Sequence, residues 1–272
     1  AKIADLFSPK DMTTGTPWKR LVEFSIPMLI GNIAQQLYNT VDSIVIGRYI
    51  GDNALAAVGS AFPVLHFLLV LFMAIATGAG IMVSQYFGAK ERERLSRSIG
   101  ICITVTAAAS IFLMIMGPVI IRPILVFINT PESIIDWCAD YLFILMMGNW
   151  GFSYFNILSG ILRGLGDSLS ALLFLLISTV LNIILDIWFV TSLDMGVPGV
   201  ALATVIAQSV SAILCAIKLK SMDTVFDLNL NTMKPKKEYL SQLLKLGLPS
   251  GMTSAIFSLA MITVQSLTNT FG

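Results

Sequence analysis

The chain of 272 residues is 56% hydrophobic and only 12% charged, too apolar to cover a water-exposed globule with polar surface. A net charge of +1 gives no electrostatic basis for nucleic-acid binding. The single histidine, His66, excludes a two-histidine metal site. The three cysteines, Cys102, Cys138 and Cys215, lie in or beside apolar runs without CxxC spacing and read as small core hydrophobes.

Residues 1–20 are polar, end in Trp18-Lys19-Arg20 and lack a small-residue cleavage site, which makes them a cytoplasmic lead-in rather than a removable signal. Apolar runs long enough to span a bilayer then follow at 21–46, 56–87, 98–127, 134–162, 169–191, 198–219 and 241–270. None shows the alternating pattern of a barrel strand, so all seven are predicted as transmembrane helices. The implied organisation is a six-helix lobe over 21–219, a cytoplasmic linker over 220–239, and a seventh transmembrane helix within 240–272. The absence of an initiator Met and the stop at Gly272 suggest a fragment of a longer protein.

Lysine and arginine set the orientation. One side carries Lys2, Lys10, Lys19, Arg20, the basic group within 90–97, Arg163 and the lysines of 218–237, whereas the other has only Arg48 and Arg122. The N-terminus is therefore expected in the cytoplasm. A faint repeat accompanies this layout. LVEFSIPMLIG at 21–31 resembles LLKLGLPSG at 243–251, with Pro27 matching Pro249, as in transporters built from two parallel halves.

Ionisable groups inside a span are costly and point to function. Asp42 in the first helix and Asp186 in the fifth are each about 6–7 Å short of the outer end, and Thr204 in the sixth is about 9 Å in from it. In the first helix Asn32, Gln35, Asn39 and Asp42 form one stripe, with Tyr38 beside it. Asn182 stacks on Asp186, the sixth helix shows Thr204, Gln208 and Ser211, and the fourth shows Asn149, Ser153, Asn156 and Arg163. Converging stripes would wall a wet cavity; individually, the amides and hydroxyls serve equally well as interhelical hydrogen-bond glue. The two aspartates have no basic residue at their level, so a proton or a sodium ion held by carboxylate, amide and hydroxyl oxygens is favoured. Some of the thirteen methionines suit a cavity for varied apolar ligands.

Several motifs together carry a family resemblance. They are PMLIGNIAQQLYNTVDSIVIGRYIGDNALAA at 27–57, QYFGAK at 85–90, RGLGD at 163–167 and NIILD at 182–186. The chain resembles the multidrug and toxic compound extrusion (MATE) transporters, DinF-like branch, over essentially its whole length. The resemblance implies an all-α polytopic membrane protein: one six-helix lobe of a MATE-type transporter of the MOP superfamily, plus the first helix of a second lobe whose remainder is missing from this chain. It also implies secondary active multidrug efflux, exporting small lipophilic organic cations in exchange for H+ or Na+ from the cytoplasmic membrane, without catalysis or cofactor. By the same resemblance Asp42, Asn182, Asp186 and Thr204 are the ion-coupling set, a site for Na+ if sodium is the ion, while Gln35, Tyr38, Asn39 and Asn156 line or support the cavity. The NorM-like branch is expected to carry a Glu on helix seven, and SGMTSAIFSL at 250–259 has none.

Two other functions compete. Gly164-Leu165-Gly166-Asp167 is a GxGD string like that of intramembrane aspartyl proteases, but it falls in a short turn beside Arg163 and lacks their partner motifs, so Asp167 or Ser168 is expected to cap a helix. A lipid-linked oligosaccharide flippase of the same superfamily needs Arg and Lys in its cavity for pyrophosphate, whereas these spans carry carboxylates and amides.

Overall fold

A computed structural model describes residues 11–271. The part of the lead-in over 1–10, with Lys2 and Lys10, lies outside the described residues. The helices are α1 (Pro17–Tyr49), α2 (Asp52–Gly88), α3 (Arg92–Phe127), α4 (Glu132–Met147), α5 (Asn149–Gly164), α6 (Ser168–Thr191), α7 (Gly196–Lys220) and α8 (Lys237–Asn269). Among the described residues there is no strand. Helix α1 begins inside the expected lead-in, with Pro17 in its first turn, where the missing N–H removes no helical bond.

Among the described residues five helices, α2, α3, α6, α7 and α8, are long and apolar enough to cross a membrane. Helix α1 has the length, at 33 residues, but its polar stripe and the charges of its first turns dilute its hydropathy. The expected fourth span is two helices of 16 residues each, broken at Gly148. At that point α7 presses against the backbone, and a Cβ on Gly148 would collide with the Val205 side chain. Asn149 repairs the break: its amide donates to the Met146 carbonyl at 2.6 Å and to Ser110 O on α3 at 3.3 Å. Short turns join the other helices as far as α7, and the α5–α6 turn needs Gly166, whose φ of +81° disfavours any side chain.

Helix α2 is the centre of the bundle, packed by α3, α4, α5 and α8. Glycines let backbones touch. Cβ atoms on Gly160 and Gly164 of α5 would stand 2.9 Å from the Ala76 carbonyl and 2.7 Å from that of Gly80, so small residues four apart on both helices interlock. Its other face meets α8 the same way. A Cβ on Gly78 would sit 2.6 Å from Leu243 O, and one on Gly247 would collide with Ala74 O. Polar pairs pin that seam at intervals: Tyr86 donates to Gln242 at 2.5 Å, His66 Nδ1 meets Ser258 Oγ at 2.7 Å, and Gln265 donates to Ser60 at 3.0 Å.

Helix α1 stands apart from this block. It leans on α6 and touches α2 only lightly. The two run parallel and in register, Gly31 facing Leu172 and Leu175 just as Asp42 faces Asp186 eleven residues further along each helix. The linker after α7 is strapped to α3. Arg92 holds both carboxylate oxygens of Asp227 at 3.0 Å, Ser96 Oγ accepts from the Asp227 N–H at 2.8 Å, and Phe226 is buried.

Candidate functional site

A cavity of about 1260 Å³ opens between α1, α2, the α4–α5 pair, α6, α7 and α8. Asn32, Gln35, Tyr38, Asn39 and Asp42 of α1 border it, as do Asn156 and Arg163 of α5 and Thr204 and Gln208 of α7. The apolar share of the wall comes from Phe62, Phe152, Phe155, Phe257, Met73 and Met261, among others. Amides, a carboxyl and aromatic faces therefore share one surface.

Behind the wall, near the end of the cavity away from the basic loops, the two aspartates meet. Asp186 and Asn182 are fully buried. With its nitrogen turned toward the carboxyls, the Asn182 amide donates to Asp42 Oδ1 at 2.9 Å and to Asp186 Oδ2 at 3.1 Å, and its oxygen accepts from the Thr204 N–H at 3.2 Å. The same amide lies 3.4 Å from Thr204 Oγ1, which is hydrogen-bonded to Tyr38 Oη at 3.1 Å. Helices α1, α6 and α7 are thus tied through one amide and one hydroxyl. Among the described residues no Lys or Arg pairs with either aspartate, and Asp186 Oδ1 has no hydrogen-bond partner. A buried carboxylate oxygen without a donor is costly, and a proton or a bound cation removes that cost.

The donor atoms limit the cation. Two carboxyls, a hydroxyl and a phenol offer oxygen, and among the described residues no three His, Cys, Asp or Glu side chains gather around a point. Oxygen donors of this kind suit a proton or a hard cation rather than a transition metal.

Depth counting along the sequence brings Asp42, Asp186 and Thr204 to one level, and in the structure all three contact Asn182. It passes over Tyr141 of α4, a buried residue that borders the same cavity. The same count finds it, about 10 Å in from the outer end of its span. The stripe on α5 divides. Asn156 and Arg163 border the cavity, but Ser153, three residues before Asn156 and so about 60° away from it, bonds Ser110 at 2.7 Å, and Asn149 caps the helix break. Ser211 is likewise glue, donating to Phe174 O at 2.8 Å. Asp167 caps α6, accepting from Ser170 N at 3.0 Å and Ser170 Oγ at 2.7 Å, with Lys218 Nζ at 3.7 Å; it lies at the opposite end of α6 from Asp186.

An apolar helical bundle around a cavity of mixed aromatic and polar lining, with buried carboxyls beside it, is the build of a membrane transporter. The MatE family model matches residues 27–188, and the chain belongs to that family. It is 32% identical over 263 residues to the probable multidrug resistance protein YoeA of Bacillus subtilis, covering 94% of this chain and 57% of that protein. It is 24% identical to the multidrug export protein MepA of Staphylococcus aureus, with 94% and 56% covered. Among solved structures, an outward-facing multidrug resistance MATE transporter of the MOP superfamily superposes with a TM-score of 0.87 at 30% identity, covering 93% of this chain and 57% of that one. An inward-facing one gives 0.82 at 30% identity, with 91% and 56% covered. The chain spans little more than half the length of the curated relatives it matches.

Proposed function

We propose that this chain supplies the first lobe, over 21–219, and the first helix of the second lobe of a cation-coupled multidrug efflux antiporter. Residues 220–239 would link the lobes in the cytoplasm, with the N-terminus on that side of the cell membrane. The carrying observation is the pair of carboxyls, Asp42 and Asp186, joined by the Asn182 amide beside a cavity lined with aromatic and amide groups. H+ or Na+ taken up from outside would neutralise the pair and satisfy Asp186 Oδ1. It would also weaken the hold on an organic cation near Asp42. Ion and drug must favour different conformations, since equal preference would couple nothing. Helix α1 is suited to respond, being lightly packed against α2 and carrying Pro27 mid-helix.

The test uses the full-length protein in inverted vesicles, with a fluorescent organic cation and an imposed proton or sodium gradient. Gradient-driven export by wild type that is lost in Asp42→Asn is expected. Equal export by the variant, correctly inserted, takes Asp42 out of the coupling. No export of any cation under either gradient would favour the flippase.

A further inference from the structure

We propose that Arg163 recognises a carboxylate on the substrate at the cytoplasmic mouth of the cavity, so that zwitterionic amphiphiles are loaded in preference to simple monocations. This rests on the transport reading above and on a second charge in the same cavity. Arg163, in the last turn of α5, is partly buried and borders the cavity together with Asn156, Ser159 and Ser168. Its guanidinium makes no ion pair or hydrogen bond among the described residues. The nearest carboxylate in sequence, Asp167, is committed to Ser170 and Lys218. A guanidinium facing a cavity, with five donors and no anion, is suited to a carboxylate, which it grips through two parallel bonds.

Position gives the charge its meaning. From Ser168 up to Asp186, α6 climbs about 27 Å, so Arg163 and the aspartate pair stand at opposite ends of one cavity. No small drug reaches both at once. A substrate entering from the cytoplasm meets the guanidinium first and the carboxyls later. A monocation is repelled at the mouth, whereas a molecule bearing both charges is held there by its carboxylate with its cationic part directed inward.

Rhodamine 110 and its methyl ester, rhodamine 123, make a matched probe pair, because only the first has a free carboxylate. Full-length wild type and Arg163→Gln would be compared in inverted vesicles under the coupling gradient. The variant should raise KM for rhodamine 110 about tenfold and leave KM for rhodamine 123 unchanged or lower. Arg163→Lys, which keeps the charge but not the paired geometry, should raise the rhodamine 110 KM about threefold without touching the ester; it carries the test if the glutamine variant fails to insert. Parallel losses for both dyes would overturn the proposal and make Arg163 a clamp on the helix end or on a phospholipid phosphate. Wild type that moves rhodamine 123 but refuses rhodamine 110 would also overturn it, with the antiporter reading left standing. Wild type that moves neither dye overturns it as well, and leaves the antiporter reading to the test on other organic cations.

Discussion

The two walls of this bundle are built on opposite principles. Around α2, contact with α5 and α8 is backbone on backbone, with glycine and alanine removing the side chains that would hold the helices apart. Between α1, α6 and α7, Tyr38, Asp42, Asn182 and Thr204 add a polar cluster to the packing, and the cavity opens beside it. In a bilayer the first arrangement gives van der Waals packing without chemistry, and the second gives chemistry at the expense of packing. In the proposed transport cycle the first would stay fixed while the second changes partners.

The contrast is broken most severely from the packed side. Gly160→Leu would drive a side chain into the Ala76 carbonyl, a backbone atom that cannot swing away, and should cost about 3 kcal/mol. The expected result is loss of the monodisperse species on size exclusion. Gly59→Ala is the control, since a Cβ there meets nothing within 4 Å, and it should behave as wild type. A tolerated Gly160→Leu would mean the α2–α5 seam is looser than its geometry.

On the polar side a comparable change should spare the fold and damage transport. Asn182→Leu removes the donor that both carboxyls share, and gradient-driven export should fall more than tenfold while the melting temperature stays within a few degrees. A large drop in melting temperature would instead mark the cluster as part of the structural core. Tyr38→Phe is milder. It deletes one hydroxyl contact with Thr204, worth about 1 kcal/mol, and export should fall roughly fivefold with the cavity otherwise intact.

The smallest effect belongs to neither wall. Arg92 hydrogen-bonds Asp227 and holds its carboxyl below the usual aspartate value, so this latch is complete above the ordinary value and is lost only as pH falls through the depressed one. Asp227→Asn should speed hydrogen exchange over 221–236 at neutral pH, whereas wild type should exchange with the same protection at pH 7 and pH 5 once intrinsic rates are corrected. Unchanged exchange in the variant would assign the strap to Phe226 burial alone.

Much of this was readable in the chain. Composition and apolar run length require a membrane bundle, because a segment of 20 apolar residues has no other low-energy solvent. The fixed rise of a helix, with alternating span direction, converts residue number into depth, and that puts Asp42, Asp186 and Thr204 at one level. Periodicity also groups Asn32, Gln35, Asn39 and Asp42 on one stripe of α1.

What periodicity could not supply is the neighbour each stripe meets. Asn149, Ser153, Asn156 and Arg163 look alike in sequence, yet the first two bond to Ser110 on α3 and the last two border the cavity. The break at Gly148 is equally hidden, since it follows from Val205 of another helix pressing on a backbone without a side chain. Arg163 reads in sequence both as a basic loop residue and as the end of the α5 stripe, and only the tertiary fold sets it at the cavity and gives Asp167 to Lys218. The sequence by itself determined which segments are apolar enough to enter a membrane and how far along its own helix each polar group lies, because both depend on one helix at a time. Only the tertiary structure decided which polar groups share a site and which hold the bundle together, because that depends on the rotation of each helix about its axis, fixed by packing between residues far apart in the chain.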